Sequence, residues 1–174
     1  KSGGNKSKAN SFLRMRRQGL NLSDVQSVNL GKLLRRKVSE STDPILKELG
    51  SKLSLFDVEA HALKDGDLYV ALKNPRLRSS ESVILRLSTV EILFSAQPET
   101  VTVQVWSTVA IPEVYSRSQH VSEMVFSGES LLLATTCGGA ACGALWRLDG
   151  ADAVPSRIQT FDREPPEGIA FDFA

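Results

Sequence analysis

The chain has no apolar run approaching the roughly 20 residues that a membrane-spanning helix needs, and among its 174 residues are only two histidines and two cysteines. The first scarcity predicts that no segment spans a membrane. The second argues against a zinc site at the cysteines, because the one spaced thiol pair, without nearby histidines, is at most half of one. Ser122 lacks the glycine-flanked turn that exposes a hydrolase nucleophile. Gly138-Gly139 reads as a hairpin turn, not as the opening of a phosphate-binding helix. No residue set amounts to a catalytic signature. Lys1 to Phe12 are polar and glycine-rich, unlike the apolar core and small-residue cleavage site of a signal peptide, and residues 1–10 read as a flexible tail.

Net charge is only +1, but it is unevenly placed: residues 1–40 carry ten Lys and Arg against Asp24 and Glu40, so +8 sits there and −7 in the remainder. Such asymmetry can mark an anionic-polymer or nucleic-acid partner. The aromatic interleaving that suits single-stranded nucleic acid is absent apart from Phe12. The arginines beside Phe12, Leu13, Met15, Leu33 and Leu34 therefore read as solvated faces, and nucleic acid is not the expected partner.

What the chain does contain is self-similarity. Phe12-Leu13-Arg14-Met15, Ile84-Leu85-Arg86-Leu87 and Leu145-Trp146-Arg147-Leu148 each set an arginine between apolar residues. Three acidic openers, around Glu59, Glu123 and Glu167, follow one another at 64 and 44 residues. Spacing of this kind signals stacked supersecondary units, most naturally four-stranded propeller blades with loops of variable length. The predicted fold is all-β: a partial β-propeller of four-stranded antiparallel blades, with one short helix on a connection. It comprises a half blade over 11–38, a connection over 39–54, blades over 55–111 and 120–162, and the start of a next blade over 165–174.

Local signals place the elements. Strands are expected at Ser11 to Arg17 and Val25 to Leu30, the third and fourth of a blade. The connection's helix starts at Asp43 as N-cap with Pro44 in the first turn and Gly50 past the end. In the first full blade Phe56 to Leu63 is the inner strand, Asp65-Gly66 the turn, and Leu68 to Leu72 the second strand, ended by Asn74-Pro75. Ser82 to Leu87 is third, and the fourth is either Val90 to Phe94 or, by alternation, Val101 to Trp106. The second blade repeats this with Val121 to Phe126, Leu131 to Thr136, Ala144 to Leu148 and Arg157 to Phe161, after which Glu167 to Phe171 begins a third inner strand. Two blades and a half cannot close, so the chain is expected to be a portion of a longer propeller or to be completed by another chain.

Cys137 and Cys142 face each other across the base of a hairpin at spacing that permits a disulfide, with two free thiols the alternative. A disulfide implies a periplasmic or extracellular location. Glu59, Glu123 and Glu167 read as equivalent positions in successive inner strands, gathering carboxylates around a central channel. Crowded carboxylates need relief, from Ca²⁺ bound through oxygen or from backbone amides and the recurrent arginines. His61, two residues after Glu59 and so on the same strand face, is a candidate general acid or base.

The strings Phe56-Asp57-Val58-Glu59-Ala60-His61-Ala62, Asp67 to Pro75 and Pro166-Glu167-Gly168-Ile169-Ala170 resemble an uncharacterised bacterial β-propeller family related to the phytase-like (esterase-like phytase) propellers. Ala60 and Met124 stand where that family carries a small glycine. The resemblance implies a propeller, with Glu59, Glu123 and Glu167 as channel carboxylates and calcium-dependent phosphoester hydrolysis as a function of the family. Three functions follow as expectations: a secreted or periplasmic binding or scaffold module stabilised by a cation, a calcium-dependent phosphoesterase, or an anionic-polymer binder acting through the basic N-terminal segment.

Overall fold

Alternating apolar residues, with Gly and Asp at the turns, build two antiparallel sheets of four strands each. A computed structural model describes residues 11–52, 57–78, 81–138, 141–166 and 168–170. The first sheet runs β3 (Asp57–Lys64), β4 (Asp67–Leu77), β5 (Glu81–Leu87) and β6 (Val103–Ala110), and the second β7 (Gln119–Ser127), β8 (Ser130–Cys137), β9 (Cys142–Leu148) and β10 (Ser156–Asp162). Both are simple meanders, each strand pairing with the next in the chain. Ahead of them, β1 (Ser11–Gln18) and β2 (Asn21–Asn29) form a separate two-stranded hairpin.

The ladders show that the second sheet repeats the first. Leu68 pairs with Leu87 as Leu131 pairs with Leu148, and Ala71 with Ile84 as Ala134 with Leu145. Each first strand carries a bulge at the same place, Glu59 in β3 and Ser122 in β7. Each fourth strand carries another, at Trp106 in β6 and Ile158 in β10. Bulges re-aim side chains and are retained features of a strand, so their recurrence is strong evidence of a structural repeat.

The sheets stack head to tail. Ala60, Ala62, Tyr69, Ala71 and Ile84 on one face of the first sheet pack against Val121, Met124, Leu131, Leu133, Trp146 and Leu148 of the second. The counterparts of that second set in the first sheet include Leu68, Val70, Leu85 and Leu87, on the opposite face, where they form another core with two helices. That interface is heterologous: each sheet offers one face backward and the other forward.

The helices are α1 (Leu30–Glu40) and α2 (Pro44–Gly50). The Asn29 side chain caps α1 by accepting from the Lys32 amide at 2.8 Å, and Asp43 caps α2 by accepting from Ile45 and Leu46. Helix α2 was legible from its cap, whereas α1 corrects the reading of 11–38 as half a blade. Leu30, Leu33, Leu34 and Val38 recur at helical spacing, and all four are buried. One open choice and two more corrections concern strands. Residues Val90–Leu93 form a short helix, α3, leaving β6 as the fourth strand. Strand β4 continues past Pro75, although its pairing with β5 is interrupted between Leu72 and Leu77, as a residue without an N–H requires. Residues 168–170 form no strand, and Glu167 and Phe171 lie outside the described residues, as do Phe56 and the tail at 1–10.

Candidate functional site between the two sheets

At the end of the sheets where β3 turns into β4 and β7 into β8, the seam opens into a cleft of about 320 Å³. Tyr69 of β4, Trp106 of β6 and Phe126 of β7 meet there edge to face, with ring centroids 4.8 to 5.9 Å apart. Trp106 reaches the cleft because it occupies the β6 bulge, which takes it out of the ladder's alternation. The Lys64 ammonium lies 5.2 Å from the Phe126 ring centre and pairs across the seam with Glu129 at 2.5 Å. From the first sheet Arg86 grips Asp67, its Nε donating at 2.6 Å, while the Thr89 amide donates to the other carboxylate oxygen at 2.7 Å. Burial opposes ionisation of Asp67, but those two donors outweigh it and hold the carboxyl below the usual range. Burial pushes the Tyr69 phenol up. The result is an aromatic floor with a rim of paired charges, an arrangement suited to binding.

The opposite end of the seam is polar. Lys73 donates to Glu59 at 2.9 Å, and that bond raises the lysine's pKa. Arg76 donates to the Gln119 carbonyl, reaching across from one sheet to the other. Burial, with the charges of Arg76 and Lys73, pushes His120 down; Glu59 opposes them. A histidine depressed on folding takes up fewer protons than the unfolded chain, so its stability contribution is complete above the unfolded value near 6.5 and is lost as pH falls below it. Chemical denaturation followed from pH 8 to pH 5 should show this loss, and His120→Gln should flatten that part of the profile. An unchanged slope in the variant would mean that another group is responsible.

Cys137 and Cys142 form a disulfide with their Cα atoms 5.2 Å apart. Beside it runs a buried polar chain. The Trp146 indole donates to the Thr135 hydroxyl at 2.9 Å, that hydroxyl donates to Gln119 Oε1 at 2.9 Å, and Gln119 Nε2 lies 3.2 Å from Cys137 Sγ.

Glu59 and Glu123, two of the carboxylates expected to converge, do not share a place. Ladder pairing makes Glu59 the counterpart of Ser122, and Glu123 the counterpart of Ala60. The alignment from the acidic openers was one residue out, and in a strand one residue exchanges faces. Glu59 is held by Lys73, and Glu123 accepts from the Met124 amide at 2.9 Å. Glu167 lies outside the described residues. Among the described residues no group of three or more His, Cys, Asp and Glu comes together as a ligand set for calcium. Glu59 and His61 do line one small cleft of about 160 Å³ with Phe12, whose ring meets the imidazole edge-on at 5.4 Å.

In the basic segment, Arg14 pairs with Glu91 and lies 4.5 Å from the Phe94 ring centre, while Arg17 donates to the Gly19 carbonyl. No helix among the described residues is long and apolar enough to cross a membrane. Sequence reasoning missed Tyr69, Trp106 and Phe126, which lie on three strands, the first two in one sheet and the third brought to them by the stacking of the sheets. No family model matches the chain, and no curated protein or solved structure matches it.

Proposed function

We propose that the chain is a portion of a β-propeller acting outside the reducing cytoplasm as a binding and scaffold module, with the seam between adjacent blades presented to its ligand. The observation that carries this reading is the repeated sheet, with bulges at the same two ladder positions and the same face forward in each copy. Head-to-tail interfaces generate rings or open stacks, and four-stranded sheets arranged around an axis are the ring solution. The remaining blades come from a longer chain or a partner. Supporting this, Val125, Leu132 and Leu145 on the forward face of the second sheet are only half-buried, whereas their counterparts Ala62, Tyr69 and Ile84 are buried against it. The location rests on the disulfide, a bond that persists in oxidising compartments.

Small-angle scattering from a protein extended through its flanking blades should fit a closed ring, and an elongated stack would overturn the propeller. Intact mass after alkylation without reductant should show no modified thiol. Two modified thiols would remove the extracytoplasmic location. Because the loop closed is short, reduction should destabilise the protein by only about 2 kcal/mol. Turnover of a generic phosphomonoester that requires added Ca²⁺ and disappears in Glu59→Gln would replace the binding reading with a phosphoesterase.

A further inference from the structure

We infer that the aromatic cleft at the turn end of the seam binds a neutral saccharide ring. This rests on the binding-module reading and names the ligand class for its seam. The cleft's volume, about 320 Å³, lies at the small end of ligand sites and suits one or two rings.

The charges decide between ligand classes. Lys64 is paired with Glu129 and Arg86 with Asp67. An anion that took Arg86 would have to break its pair with Asp67, leaving that buried carboxylate uncompensated, a cost that the exposed Glu129 does not impose at Lys64. A hydroxyl need not, since a paired carboxylate keeps free lone pairs and a guanidinium has five N–H donors to share. Further groups stand ready: the Tyr69 hydroxyl and the Trp106 indole N–H have no hydrogen-bond partner among the described residues. The floor supplies the complementary half. A sugar ring offers an apolar C–H face and hydroxyls around its edge, and aromatic side chains with polar tips match that combination. Trp106 is half-buried and carried on a bulge, so its position in the cleft is set by the strand rather than by a mobile loop.

The test follows Trp106 fluorescence during titration with glucose, galactose, N-acetylglucosamine and their β-linked disaccharides, using Trp106→Phe to subtract the buried Trp146. A saturable change is expected with at least one of these sugars. By calorimetry Trp106→Ala should bind that sugar roughly tenfold more weakly, as loss of one aromatic contact implies. Trp106→Phe, which keeps a ring but loses the indole N–H, should bind more weakly than the native protein and more tightly than Trp106→Ala. Absence of saturable binding across the panel would overturn the inference, as would undiminished affinity in Trp106→Ala or a response to inorganic phosphate alone. A closed ring with a cleft that ignores sugars defeats this inference and leaves the propeller standing. An open stack that binds a sugar defeats only the propeller.

Discussion

Replacing Gly143 by alanine should destabilise the protein by about 3 kcal/mol or more, which for a chain of this size lowers the melting temperature by roughly 6 to 12 °C. Gly143 lies in β9 with Thr136 opposite it on one side and Phe161 on the other. A Cβ there would run into the Thr135 carbonyl oxygen and stand 2.6 Å from Pro166 Cδ. Neither obstacle can rotate aside, since one is backbone in a paired strand and the other a proline ring. Gly128→Ala is the control: a Cβ there meets nothing within 4 Å, and its φ of +60° leaves only the left-handed conformation to resist the methyl, at about 1 to 2 kcal/mol. Melting curves by circular dichroism, recorded side by side, compare the two. If Gly143→Ala melts no lower than Gly128→Ala, then neither the Thr135 backbone nor Pro166 closes on the Gly143 position.

Trp146→Ala is expected to cost about 3 to 5 kcal/mol, measured by urea denaturation. The indole is 2% exposed, at the centre of the core between the sheets. Its loss removes apolar contact with both sheets and leaves a cavity that a paired ladder cannot easily close. Trp146→Phe separates the polar from the apolar part: most of the buried area stays, the N–H to Thr135 goes, and the cost should be about 1 kcal/mol. Thr135→Val should cost about 1 to 3 kcal/mol, because it leaves the indole N–H and Gln119 Oε1 buried without partners. Combined with Trp146→Phe it should cost less than the two separately, since both remove the same bond. Strict additivity would show that the indole and the hydroxyl are not in contact. A Trp146→Ala variant within about 1 kcal/mol of the native protein would mean that the two sheets do not share this core.

Much of the chain was legible from local chemistry. The strands of both sheets follow from alternation and turn residues, Asp43-Pro44 and Gly50 mark α2, and the close spacing of Cys137 and Cys142 across a turn anticipates their bond. Helix α1 was also written in the residues, as Leu30, Leu33, Leu34 and Val38, but the expectation of a half blade stood over it. The extension of β4 beyond Pro75 was not legible, because a proline forbids only the hydrogen bond it would donate and leaves the extended backbone intact.

The sequence by itself determined most strands of the two sheets, that they form successive four-stranded meanders, and that the second meander repeats the first. These are consequences of period, turn chemistry and short connections, all local in the chain. The same signals left the fourth strand of the first sheet open and added one after Pro166 that residues 168–170 do not form. Only the tertiary structure decided the register of that repeat. The bulges at Glu59 and Ser122 sit one residue away from where the acidic openers align, so Glu59 and Glu123, similar in sequence, occupy different places on their strands. The structure alone decided the site as well. Tyr69 and Trp106 stand on the two strands flanking β5, and Phe126 joins them because stacking buries one face of each sheet against the other. Contact between distant positions comes from packing, and packing is settled by how whole faces fit rather than by any neighbour in the chain.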